Sequence, residues 1–253
     1  MPPSPPADIS VRIGARARVD GDVCAELINM GVVVSVSGNV ISPKTTGTAL
    51  VFRHFDHVAG DVVTGGAAIA GAANVIVGGT VDTTGTHPAL GSCALARSRA
   101  DSQRTTFETL AASVMFPSPI SVDSRGSSRI PAVGTLGSGV VVIDVPGINV
   151  GTFATLTLAG DSSTNEVIIR VSGNLRVRPW GRIQLEGLVP EQVLYLVSGA
   201  TTVGAYGRLD GTVFSNSGSR LVARGTVNGA LLGNAPIAVG ATAAVKLRPF
   251  LGW

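Results

Sequence analysis

The stretch EVIIRVSGNLRVRPWGRIQLEGLVPEQVLYLVSGATTVGAYGRLDGTVFSNSGSRLVARGTVNGALLG, residues 166–233, is built of short alternating apolar segments. Val167-Ile168-Ile169-Arg170-Val171, Leu175-Arg176-Val177, Arg182-Ile183-Gln184-Leu185 and Val193-Leu194-Tyr195-Leu196-Val197 are each closed by a Gly, Asn, Ser or Pro turn. Two later units match position by position, Leu209-Asp210-Gly211-Thr212-Val213-Phe214 and Val227-Asn228-Gly229-Ala230-Leu231-Leu232. Gly211 and Gly229 are eighteen residues apart, close to the ~20-residue period of solenoid repeats. A strand this short cannot bury its apolar side alone, whereas stacked rungs bury a continuous column. The expected fold class is an all-β solenoid.

Composition points the same way. Hydrophobic residues make up 45% of the 253, enough for a large core, but only 4% are aromatic and 33 are Gly. Such a core must be filled by small and β-branched side chains in tightly stacked coils. The net charge is +3 with no run of Lys or Arg, which argues against nucleic acid as a partner. Cys24 and Cys93 allow one disulfide or two free thiols and leave the redox compartment open. The opening MPPSPPADIS lacks the charged-then-apolar pattern of a secretory signal. Either a signal has been removed or export follows another route. Residues 62–81 are uncharged and long enough to cross a bilayer, but their Gly, Thr and Asn content reads as β rungs. No membrane span is expected.

Taken in order, residues 1–8 form a flexible Pro-rich leader and residues 9–249 a single composite solenoid domain. Residues 10–13, 17–23 and 34–40 are rung-like, with Gly21 and Gly38 about one coil apart. Val36-Ser37-Gly38-Asn39 recurs as Val171-Ser172-Gly173-Asn174. A glycine at a fixed place in each coil suits a corner that needs positive φ or close stacking. Residues 43–60 read as a loop. One amphipathic helix is expected over about residues 93–115, with Ser92 as N-cap. Ala96, Ala100, Gln103 and Phe107 share its apolar stripe, continued by Leu110, Ala111 and Val114. Arg104 and Glu108 form an i,i+4 pair, and Pro117 and Pro119 end the element. In a β chain this helix must lie along the sheet column. Residues 118–138 read as loop-rich, and residues 250–253 as a cap over the open end of the column or as a docking tail.

Short rungs, a long helix, then TLTLAGDSSTNEVIIRVSGNLRV, VPEQVLYLVSG, GRLDGTVFS and GTVNGALLGN give an order of elements that resembles the ice-binding-like β-solenoid family. It is similar also to the bacterial choice-of-anchor A surface domains. The resemblance covers roughly residues 9–245 and is strongest over 153–233. It implies a right-handed irregular β-solenoid with one long α-helix packed alongside, on secreted or surface-attached microbial proteins that are not enzymes. On that basis the chain is expected to be a non-catalytic extracellular or cell-surface module for adhesion or surface structure. Its ligand, whether surface, matrix or ice, and its self-assembly stay open.

The alternative is ice binding by one flat Thr-bearing face, for which Thr155 and Thr157, the T-x-T of TLTLAG, are the candidate residues. Looser threonines occur at residues 80–86 and at Thr201 and Thr202. Against that face stand arginines expected to point outward: Arg12, Arg16 and Arg18; Arg170, Arg176, Arg178 and Arg182; Arg220 and Arg224. Guanidinium groups suit carboxylate or phosphate partners better than ordered water.

Catalytic and metal chemistry is sparsely represented. Arg53-His54-Phe55-Asp56-His57 places two imidazoles and a carboxylate together, with His87 as a distant third ligand. A zinc site needs three or four converging ligands, so a solvated loop is the expectation and no metal or other cofactor is assigned. No G-x-S-x-G elbow accompanies the three histidines, and the Gly-rich residues 65–79 hold no phosphate-loop pattern. A second alternative, a polysaccharide-active β-helix enzyme, would need two of Asp144, Glu166, Glu186 and Glu191 facing one groove.

Overall fold

The structure, a computed structural model, describes residues 10–71, 74–132, 139–161, 163–248 and 250–251. The expected leader, residues 1–8, lies outside the described residues. Two ten-stranded parallel sheets, here A and B, run the length of the molecule. The third face is split into a four-stranded sheet C and a six-stranded sheet D. Each coil contributes one strand per face, as Thr155–Ala159 does to sheet B and Ile148–Val150 to sheet A. The fold is therefore an all-β solenoid with one long helix.

The chain does not climb this column from one end to the other. Sheet A runs in the order 68–70, 48–51, 27–30, 10–13, 237–239, 219–221, 201–203, 175–177, 148–150, 120–122. The first coil thus sits in the middle, stacked on the last: Val11 pairs with Ile237 and Val19 with Val245. Successive coils build outward to the strand Val81–Asp82, and the chain then re-enters at the far end with Val114–Met115. Nine rung spacings amount to about 43 Å. Helix α1, Pro88–Thr109, covers about 33 Å of that return.

The core follows from strand alternation. Val141, Ile143, Val145, Val167, Ile169, Val171, Val193 and Val197 point inward and are buried, along with the fully enclosed Tyr195. Tyr195 donates its hydroxyl to the Asp210 carbonyl at 3.1 Å, and burial pushes its phenol well above the ordinary tyrosine range. Gly211 makes the space: a Cβ there would stand 2.7 Å from Tyr195 Cε2. One rung on, a Cβ at Gly229 would come within 2.0 Å of the Gly211 carbonyl oxygen. The matched LDG and VNG units are therefore adjacent rungs, with Asp210 opposite Asn228 and Val213 opposite Leu231. Gly21 and Gly38 are stacked in the same way.

Four expectations are corrected. Residues 43–60 hold two short strands, Thr48–Val51 and His57–Val58, and residues 118–138 hold Ile120–Val122 and Ser127–Pro131. Strands of two to five residues paired only to distant coils leave little periodicity to read. The Val-Ser-Gly-Asn repeat marks two different corners, Val36 leaving sheet B and Val171 leaving sheet D. The helix starts at Pro88, with His87 as N-cap, its Nδ1 accepting from the Ala89 N–H at 3.2 Å, and it ends before Leu110. Val114 is already in a strand.

The fourth correction concerns the C-terminal residues. Since the strands Ile237–Val239 and Ala244–Lys246 lie mid-column, Phe250 and Leu251 do not close an open end. Phe250 is 2% exposed and meets Phe107 edge-on at 5.8 Å, over Ile168, Leu194 and Phe214 of sheet D. Gly252 and Trp253 lie outside the described residues.

Helix α1 is fastened to the third face at both ends. Cys93 is disulfide-bonded to Cys24 of sheet C across 69 positions of sequence. At the other end Arg170, expected on an open face, lies beneath the helix. Its Nη1 donates to the carbonyls of Glu108 at 2.8 Å and Leu110 at 2.7 Å, where the last helical turn leaves acceptors unfilled. Its Nε and Nη2 hold Asp144 at 2.5 and 2.8 Å. Replacing Cys24 and Cys93 by serine is expected to lower stability by up to about 4 kcal/mol, the chain entropy released by opening a loop of this size. The readout is the thermal midpoint, which reducing agent should lower in the unmodified chain and leave unmoved in the double variant.

Candidate functional site

With the helix over the third face, sheets A and B are the open surfaces. Thr155 and Thr157 both project from sheet B and are half-buried. Thr155 stands in an outward column between Ser127 and Arg182, and Thr157 between Arg129 and Gln184. The Thr157 hydroxyl accepts from Gln184 Nε2 at 3.2 Å. The column through Thr155 continues past Arg208 to Thr226, Ala244, Arg18 and Ser35. No uninterrupted threonine array forms here.

The charges on sheet B are largely paired along its surface. Residues two apart on a strand share a face. Arg18 accordingly holds Asp20 at 2.8 Å, and Arg208 grips Asp210 through two bonds of 2.9 and 3.0 Å. Arg129 spans two rungs to Glu186, at 2.9 and 3.3 Å. This contact and the attraction behind it hold the Glu186 carboxyl below its usual range.

Sheet A differs. Its outward column includes Arg12, Arg176 and Arg220, all exposed, and Thr202. Thr201 faces inward and is 2% exposed. The Thr80 and Thr84 hydroxyls are taken by Asp61 and Asp82 at the turns around sheet C. These looser threonines therefore contribute one residue, Thr202, to an open face.

Between sheets A and B the chain turns through a non-glycine residue with positive φ in every coil: Arg125, Phe153, Trp180, Tyr206, Arg224, Thr242, Arg16, Val33, Phe55 and Asn74, at 55 to 68°. This conformation is uncommon for side-chain-bearing residues. Part of its cost is offset by stacking between rungs. Trp180 and Tyr206 lie parallel with centroids 4.0 Å apart, Phe153 stacks on Trp180 at 5.8 Å, and Arg224 covers the Tyr206 ring at 5.2 Å. Glycine was the residue expected at corners, so this ladder escaped the sequence reading. A signal was there: Arg125-Gly126, Trp180-Gly181, Tyr206-Gly207 and Arg224-Gly225 each precede a sheet B strand.

The remaining candidates disperse. Asp144 is bound to Arg170, Glu186 to Arg129, and Glu191 to Arg248 at 3.1 Å, while burial raises the Glu166 carboxyl. Of these four carboxylates, Asp144 alone lines the cavity beneath the helix. That cavity, of about 370 Å³ between α1 and sheet D, is lined also by Arg104, Arg170, Leu196, Phe214 and neighbours. Its charged groups are engaged in fastening the helix.

In the 53–57 segment, Asp56 is fully enclosed, accepting from the backbone N–H groups of Val34 at 2.9 Å and Arg53 at 2.7 Å. His54 and His57 are exposed, and His87 caps the helix. Among the described residues no group of three potential ligands converges. Burial raises the Asp56 carboxyl and the two N–H donors pull it down by less.

No protein-family model matches the sequence, and no curated protein sequence matches it. Solved structures do match in fold. An ice-binding protein from the Antarctic ascomycete Antarctomyces psychrotrophicus superposes with a TM-score of 0.53 at 20% identity, over 84% of this chain and 92% of that one. The antifreeze ice-binding protein of an Arctic yeast gives 0.54 at 12% identity, over 94% and 90%. The chain has the β-solenoid fold of these ice-binding proteins.

Asp56→Asn keeps the shape but turns an NH2 toward a buried N–H. It is expected to destabilise the fold by about 2 kcal/mol, with a chelator leaving the melt unchanged; a chelator-sensitive melt would restore the metal reading. Because its folded value lies above the unfolded one, the Asp56 contribution is complete below the carboxylate range and declines as pH rises through the folded value. The Asn variant should lack that component.

Proposed function

We propose that this chain is a non-catalytic ice-binding protein that presents sheet B to ice, with Thr155 and Thr157 in the contact, on the strand next to one end of that sheet. The observation that carries this reading is the surface chemistry of sheet B, taken together with a fold shared with ice-binding proteins over most of the chain. Three of its four arginines are tied to carboxylates on the sheet, at Asp20, Asp210 and Glu186, and the fourth, Arg182, stands exposed beside Thr155. Ser127, Thr155, Thr226, Ala244 and Ser35 leave small side chains between them. A rigid ladder repeating at about 4.8 Å holds such groups in fixed register, and little side-chain entropy is lost when a solid surface is met.

An extracellular or cell-surface setting fits the disulfide. No helix among the described residues is long and apolar enough to cross a membrane. Adhesion or surface structure is the second reading, favoured by the unpaired arginines of sheet A.

The test is thermal hysteresis and ice-recrystallisation inhibition by the purified chain. Activity is expected in the unmodified protein and should fall at least about tenfold in the Thr155→Tyr, Thr157→Tyr double variant, with an unchanged thermal midpoint. An unmodified chain inactive at high concentration would sink the ice reading.

A further inference from the structure

We infer that sheet A is a second binding face, for a linear acidic polysaccharide laid along the column axis. Five consecutive rungs present Arg176, Thr202, Arg220, Ala238 and Arg12 outward, held in register by the main-chain ladder. Arginine therefore recurs at every second rung, a spacing of about 9.5 Å. The intervening Thr202 and Ala238 are short and leave each guanidinium plane accessible. Arg53, from the turn after a sheet A strand, joins Arg12, Asn29 and Arg220 around a shallow groove of about 550 Å³.

The contrast with sheet B makes this more than a solvated face. There three of the four arginines, Arg18, Arg208 and Arg129, each find a carboxylate, and Arg182 alone has none among the described residues. On sheet A, Arg12, Arg176 and Arg220 have no ion-pair partner among the described residues, although the column spans both halves of the chain. Three forks of one sign, evenly spaced on a rigid surface, match a polymer that offers one anionic group per structural period.

A 1,4-linked glycan in a two-fold screw conformation, which polygalacturonate can adopt, presents the same face once per disaccharide, a length comparable to two rungs. Guanidinium accepts carboxylate or sulfate in bidentate geometry. Duplex DNA fits less well, because its phosphates come about every 1.7 Å along the axis and curve away from a flat sheet.

The experiment is equilibrium binding of the full chain to polygalacturonate, with dextran as the neutral glycan and duplex DNA and phosphatidylglycerol vesicles as other polyanions. Salt-sensitive binding to polygalacturonate and none to dextran is expected. The Arg176→Gln, Arg220→Gln variant should bind about tenfold more weakly, whereas Arg97→Gln, Arg99→Gln, with the same loss of charge from the exposed helix, should stay within about twofold. Exchanging Thr202→Arg with Arg220→Thr preserves charge but breaks the two-rung spacing, and should also weaken binding about tenfold. Melting curves confirm that each variant folds.

Equal losses in the two glutamine pairs, an indifferent spacing variant, or equal affinity for DNA or vesicles would overturn the proposal. Ice activity is read separately: the sheet A variants should keep whatever hysteresis the unmodified chain has, so failure of one reading leaves the other standing.

Discussion

The ladder that joins the last coil to the first is the contact on which the rest of the architecture depends. Val11 lies beside Ile237 and Arg18 beside Ala244, more than two hundred positions away in sequence. Without it the chain would form a stack of four coils and a stack of six, each with both ends bare. With it the apolar column is continuous through both halves, and only the outermost coils carry open edges, which are the hazard of any exposed strand. Closure of so long a loop must precede its reward, so this junction places a large non-local demand on folding.

Helix α1 follows from that topology. Coils that build from Ser10–Ile13 in mid-column to one end leave the chain to be carried back to the other, and a helix does so while satisfying its own backbone. Its fastening then determines the surface. Arg170 serves both the bare carbonyls of the helix end and the Asp144 carboxylate, so two partly buried charges beneath the helix are paired and hydrogen-bonded. Phe250 and Phe107 seal the same region over Ile168 and Leu194. Much of one of the three faces is thereby covered, and sheets A and B are left as the broad open surfaces. Those two faces differ in their electrostatics, with three of the four arginines paired on sheet B and the arginine column of sheet A unpaired among the described residues.

Much of the fold was legible in the sequence because stacking imposes local signatures. Glycines at 211 and 229 recur because a Cβ at either would collide with Tyr195 or with the coil beside it. Alternation from Val167 to Val171 reports an inward face directly. The candidate site was less legible. Thr155 and Thr157 do lie on an open sheet, but their neighbours in space, Arg129, Arg182 and Gln184, are about one coil away in sequence. Arg170 reads like any outward arginine, since nothing near it reveals that a helix from some sixty residues earlier will cover it.

The sequence by itself determined the rung, its period, the composition of the core and the presence of one long helix, because these are written in interactions between near neighbours or in the recurrence of one residue type. Only the tertiary structure decided the order of the coils, the place of the N-terminal coil in mid-column, the face that the helix hides and the spacing of arginines on sheet A. Each of these is fixed by register between segments far apart in the chain. Parallel pairing of short apolar strands is sterically permissive enough that alternation alone does not say which coil lies next to which.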